Sequence, residues 1–358
     1  MKTLESHPAT RPAIWLPLAL ALCLGACRGR KEPQAETSVA VPAESRYLEA
    51  GKLAAYDEAF FEIVPRGSRL EILAEGHDWT EGPLWVDGGG YLLYSDIPRN
   101  AIYRWDPETG SRTYLEPSGF TGEDFRGSEP GSNGLLLDPS GNLVLCQHGD
   151  RRIARMTAPL DRPADTFETL AETYRGARLN SPNDAVYDSK GVLYFTDPPY
   201  GLPGLVDDPG KELNFQGVFR LEPGGEPELL TDALSRPNGI GLSPDGSRLY
   251  VSNSDPDHAI WMVYELSENG SLSNGRIFFD ATDQNPAETG NPDGLKVHPS
   301  GHVFATGPGG VLVFGPQGTI LGKIFTGEKT SNCALNADQS ALFITADSYL
   351  LKLDLKAE

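Results

Sequence analysis

Six residues with oxygen-bearing side chains recur at one register of a repeated phrase. They are Glu81 in TEGPLW, Asn133 in GSNGLLLDPSG, Asn183 in NSPNDAVYDSKG, Asn238 in RPNGIGLSPDG, Asp293 in GNPDGLKVHPSG and Asn332 in TSNCALNADQS. The spacings are 52, 50, 55, 55 and 39 residues. Brought together, these side chains would offer two carboxylates and four amides, a donor set suited to a hard divalent cation such as calcium. The carboxylates balance the charge, amide oxygens fill further positions, and open positions take water and substrate. None of the six histidines falls in this register, which argues against a zinc site of His/Cys type. The plainer alternative is that these Asn and Asp residues are turn formers that satisfy backbone amides at strand starts. A glutamate before Gly82-Pro83 is not needed for a turn.

The elements that must position them are short strands. Each copy runs into an apolar stretch, a turn such as DPSG or SPDG, and a second apolar stretch. From residue 69 onward, segments such as YLLYSDI, AIYRWDP, NLVLCQHG and RIARM alternate or run apolar over four to six residues between turn formers. No stretch has a long helical period. Self-similarity at about fifty residues with four short strands per unit predicts an all-β, six-bladed β-propeller. In that fold the first strand of each blade lines an axial channel, so the recurrent residue sits at one mouth. The second strand ends at the same mouth, which predicts an outer ring of Asp96, Gln147–His148, Asp197, Asn253, Gly307 and Asp347. The last repeat stops one strand short, and RLEILAEG before the first repeat is the spare strand that would complete it. The alternative is that residues 50–76 pack outside the ring.

The balance of 50 acidic against 30 basic residues gives a net charge of −20, which argues against nucleic-acid binding, since that needs basic patches to neutralise phosphate. The amino terminus reads as an export signal over residues 1–26: Lys2 and Arg11, the apolar run IWLPLALALCLGA, then small residues. Leu24-Gly25-Ala26-Cys27 resembles the bacterial lipobox, which implies cleavage before Cys27 and a lipid on its thiol. An ordinary signal with a chance cysteine is the alternative. Arg28, not aspartate, follows, which in such lipoproteins implies the outer membrane, with the protein facing the periplasm. Residues 27–50 are polar and Pro/Ala/Glu-rich and read as a tether; 51–358 form the propeller. Of the four cysteines only Cys146 and Cys333 fall within that domain. They read as buried thiols, although an exported protein could pair them.

The phrases TEGPLW, NSPNDAVYDSKGVLYFTDPPYG, RPNGIGLSPDGSRLYVSNS and NPDGLKVHPSGHVFAT, in that order, resemble the gluconolactonase, regucalcin and luciferin-regenerating family. More distantly they are similar to diisopropylfluorophosphatase and paraoxonase. The resemblance spans 69–358. It implies a divalent cation in the channel, most simply calcium, with zinc or manganese open. It implies that Glu81, Asn238 and Asp293 bind the metal, and that Asn183 is a fourth ligand or a substrate contact. Regucalcin-type enzymes carry an arginine two residues before this asparagine; here Ser181 stands there, with Arg178 upstream. The implied reaction is metal-assisted opening of a small lactone to its hydroxy acid. Asp293 is the candidate general base, with His148 and Asp197 as rivals, and Asn133, Asn183, His148, Asp197 and Tyr200 are candidate substrate contacts. Two other functions remain open: a phosphotriesterase or arylesterase on the same cation, and a non-catalytic propeller tied together by metal.

Overall fold

The computed structural model describes Leu48 and residues 51–284 and 287–356. The signal segment 1–26, Cys27 and all of the expected tether except Leu48 lie outside the described residues. The repeats form six antiparallel blades. Blade one comprises Thr80–Val86, Tyr91–Asp96, Ala101–Asp106 and Gly110–Leu115, and blade two Ser132–Leu137, Leu143–Gln147, Arg152–Met156 and Phe167–Ala171. Blade three comprises Ala185–Tyr187, Leu193–Asp197, Gly217–Leu221 and Glu228–Thr231, and blade four Pro237–Leu242, Arg248–Asp255, His258–Leu266 and Leu272–Asp280. Blade five is Leu295–Val297, Val303–Gly307, Gly310–Phe314 and Ile320–Phe325; blade six is Thr330–Leu335, Ala341–Ala346 and Tyr349–Asp354. The first strands touch one another in succession and blade six returns to blade one, closing the ring.

The expected spare strand completes blade six: Glu71–Ala74 pairs antiparallel with the last strand, Glu71 opposite Lys352. An earlier segment adds what the repeat pattern did not announce. Lys52–Ala55 pairs with Ile320–Phe325 as a fifth strand of blade five. Between the two strands the turn Phe60–Ile63 buries Phe60 and Ile63 against Phe304, Val311 and Leu351. Leu48 donates its N–H to Leu70 O (2.9 Å) and packs against the same cluster. One amino-terminal arm thus grips two adjacent blades.

Alternation along the strands puts apolar side chains on both faces of each blade, and they meet as six clusters, one at each blade boundary. Cys146 lies in the boundary of blades two and three and Cys333 in that of five and six; both are free and buried. Burial pushes the Cys333 thiol up to about 12, so neither its reactivity nor a thiolate ligand role is favoured. The repeated turns need a left-handed residue, met by Gly141, Gly191, Gly246 and Gly301 with φ of 83°, 83°, 69° and 86°.

Candidate functional site

Each recurrent residue sits where its blade's first strand begins, and local irregularity aims its side chain. In blades one, two, four and six the pairing with the second strand slips beside that residue, for example between Glu81 and Leu84. Such a bulge turns the side chain out of the regular pleat. The following residue is glycine in four copies because neighbouring blades approach there. A Cβ on Gly82 would stand 2.1 Å from Asn133 O, and one on Gly239 would stand 2.3 Å from Asp293 O.

Hydroxyls on the second strands lock four of the six blade boundaries, and between blades two and three Gly134 N donates to Asn183 O (2.8 Å). Ser95 donates to Asn133 O (2.9 Å), Thr196 to Asn238 O (2.7 Å), Ser252 to Asp293 O (2.6 Å) and Thr306 to Ser331 O (2.8 Å). Ser331 passes the link on to Thr80 O (2.6 Å) in blade one. The carbonyls of Asn133, Asn183, Asn238 and Asp293 are therefore held by the neighbouring blade.

Those side chains converge. Glu81, Asn133, Asn183, Asn238 and Asp293 line one cavity of about 220 Å³, together with Tyr200, Glu129, Ser254 and Lys329. The opposite mouth of the channel is walled by apolar residues such as Leu84, Leu135, Val186 and Leu242. Asn332 is displaced from the set. It stands beside Glu81, its amide donating to Asp184 Oδ2 (3.4 Å) and its Oδ1 accepting from Cys333 N.

The predicted outer ring does not face the funnel. Asp96, Gln147, His148, Asp197 and Asn253 are fully buried and line no part of the cavity. His148 and Asp197 accordingly stand behind the wall rather than at a substrate. The reason is backbone chemistry. Asp197 accepts from the N–H groups of Asn180 and Ser181 (both 2.8 Å), three and two residues before Asn183. Asp96 does the same for Asp78 (3.1 Å) and Trp79 (3.3 Å) ahead of Glu81, and Asn253 for Arg236 (2.8 Å) ahead of Asn238. These groups hold the segments that deliver the cavity residues. Burial pushes the Asp197 carboxyl up to about 7 despite its two N–H donors and Arg151 nearby. Ser181 is likewise internal, donating to Pro198 O (2.6 Å) and accepting from Gly201 N (2.9 Å).

The cavity is electrostatically tense. Burial pushes the Glu81 carboxyl up to about 8, against the Gly82 N–H that it accepts at 3.0 Å, and Asp184 and Glu129 push the same way. Burial, then the Glu81 charge, raises Asp293 well above the usual carboxylate range. Asp293 Oδ1 and Asn133 Oδ1 are buried with no hydrogen-bond partner. Orphaned oxygens beside crowded carboxylates are what a hard cation with its waters would satisfy. Among the described residues no three His, Cys, Asp or Glu side chains cluster as ligands, and the oxygens that the cavity offers are those of the Glu81, Asp293 and Glu129 carboxylates and the asparagine amides. That set fits calcium-type ligation by oxygen and not zinc ligation by imidazole.

Sequence reasoning missed two carboxylates. Asp184 occupies the slot that is glycine in four other copies, and its Oδ2 faces Lys296 Nζ at 3.7 Å beneath the cavity. That odd residue in the repeat was its available signal. Glu129 comes from the connection between blades one and two, where no repeat marks it.

The residues 79–348 match the family model described as SMP-30/Gluconolactonase/LRE-like region. This chain belongs to that family. The family assignment agrees with the gluconolactonase of Zymomonas mobilis, 38% identical over 86% of both chains. The pentonolactonase XacC of Haloferax volcanii is 27% identical over 74% of this chain and 80% of its own. Among solved structures, a gluconolactonase of Xanthomonas campestris superposes with a TM-score of 0.73 at 30% identity, over 87% of this chain and 97% of the other. The gluconolactonase-family propeller therefore extends over nearly all the described residues.

Proposed function

We propose that this chain is a divalent-cation-dependent lactonase that opens a small sugar-acid lactone to its hydroxy acid. One observation carries the reading: Glu81 and Asp293, more than two hundred residues apart in sequence, meet in a cavity that also holds the orphaned Asn133 and Asp293 oxygens. The lactonase activity named for the relatives at 38% and 27% identity supports the substrate class. Glu81, Asn238 and Asp293 would hold the cation, with Asn183 as fourth ligand or as an amide to the substrate. Bound there, a cation such as calcium would polarise the lactone carbonyl and stabilise the charge developing on its oxygen. Tyr200, beside Ser254 in the wall, and the exposed Lys329 at the rim present donors to the hydroxyls of a polyhydroxy lactone.

We also infer export and anchoring to the outer membrane through Cys27, on the reading of the first 27 residues. The test of the activity is pH-stat titration of the protein, first stripped with EDTA, against aldonolactones, aliphatic lactones and phosphotriesters, with and without calcium. Turnover of aldonolactones that returns with calcium is expected. A protein that opens no lactone with calcium, manganese or zinc is not a lactonase.

A further inference from the structure

The proposed reaction needs a group to take a proton from the attacking water. Asp293 is compromised for that task by the same reading, because a carboxylate that holds the cation has its lone pairs engaged. The cavity contains another. Glu129 lines it with a side chain 30% exposed, so it reaches the water side of the site. Its charge is felt by Glu81, Asp293 and Tyr200 across the cavity.

Glu129 is also held from behind. His148 Nδ1 stands 3.1 Å from Glu129 Oε2, and the ring is fully buried. His148 Nε2 has no partner, so Nδ1 carries the ring's one bond, to the carboxylate. Oε1 of Glu129 makes no bond among the described residues. The backbone fixes both residues: Gly131 N donates to Ile97 O (2.9 Å) and His148 N to Gly131 O (3.2 Å). Gly201, in the Tyr200 loop, packs so close that a Cβ there would stand 2.9 Å from His148 Cβ. A buried imidazole whose one bond goes to a half-open carboxylate fixes how that carboxylate is presented, and a general base must be held within reach of the proton it takes. Surface ion pairs do not bury one partner fully and leave its second nitrogen orphaned.

We propose that Glu129 is the proton acceptor for hydrolysis and His148 its positioning residue; the inference rests on the lactonase reading. The water oxygen bonds to the lactone carbonyl carbon, the carbonyl π pair moves to its oxygen, and the water proton passes to Glu129 Oε1. On collapse the carbonyl reforms, the ring C–O bond breaks, and Glu129 returns the proton to the ring oxygen. Lactone and water give the hydroxy acid, with no redox change.

The test uses glucono-1,5-lactone, the full chain and calcium titration calorimetry. Glu129→Gln should lower kcat by about 10²–10⁴, the usual worth of general-base catalysis, with KM unchanged and calcium still bound, weakened only by the loss of one nearby charge. Added formate should restore turnover to Glu129→Ala and not to Asp293→Ala. His148→Asn keeps a donor near the Nδ1 position and should retain most activity, whereas His148→Ala should lose it. A Glu129→Gln protein at native kcat, or one that loses calcium along with kcat, overturns the assignment. Equal activity of the two His148 variants removes the positioning role. A native protein inactive on every lactone removes the lactonase reading and this inference with it; an active native protein with an active Glu129→Gln removes the inference alone.

Discussion

Replacing Glu81 by glutamine tests the charge logic of the cavity without the assay of any reaction. The Glu81 carboxyl is raised from 4.5 to about 8, chiefly by burial. A carboxyl raised on folding stabilises the protein fully below 4.5 and loses that contribution as pH climbs to about 8. pH 7 lies about 2.5 pH units above 4.5 and still below about 8, so keeping this carboxyl protonated in the folded protein without cation costs about 3 kcal/mol, at about 1.4 kcal/mol per pH unit. Asp293, raised in the same direction, adds to it. Glutamine keeps the oxygen that accepts from Gly82 N and never ionises. In EDTA, urea unfolding should show Glu81→Gln and native protein equally stable near pH 4.5. The variant should be the more stable by up to about 3 kcal/mol at pH 7. Calcium should invert the order, because it binds the ionised native site and stabilises by mass action. A stability difference that does not change with pH, or a native protein more stable than the variant at pH 7 without cation, would refute the reasoning.

Asp293→Asn should abolish lactone hydrolysis by pH-stat and weaken calcium binding; a fully metallated, active variant would contradict its role. Gly239→Ala would drive a Cβ to 2.3 Å from Asp293 O and 2.7 Å from Gly294 Cα. Overpacking of that kind costs about 1–3 kcal/mol, so calorimetry should find a lowered Tm and calcium should bind more weakly; an unchanged Tm would show that the blades yield there. Cys27→Ser should move the protein from the membrane fraction to the soluble fraction; unchanged fractionation would rule out the lipid anchor.

Much of the fold was legible because a ring of like units repeats its geometry. The turn glycines, the recurrent Glu81–Asp293 register and the spare strand at Glu71–Ala74 are each required by every blade or by closure, so sequence alone exposes them. What escaped depends on contacts between units. The strand order places the ends of Asp96, Asp197 and Asn253 at the mouth, but their side chains bend back to nearby N–H groups, which no periodicity reveals. Glu129 sits in a connection unique to one blade boundary, and its partner His148 is known only once two strands lie side by side. Asn332 keeps the register yet lines no part of the cavity; its amide is turned to Asp184 and its Oδ1 to Cys333 N.

The amino-terminal arm has a consequence for how the molecule is made. Lys52–Ala55 and Glu71–Ala74 leave the ribosome early, but their partners, Ile320–Phe325 and Tyr349–Asp354, are nearly the last to emerge. Pairings so remote in sequence form slowly. Until synthesis is almost finished, both early segments are unpaired strands carrying apolar side chains, open to capture by chaperones or by another nascent chain.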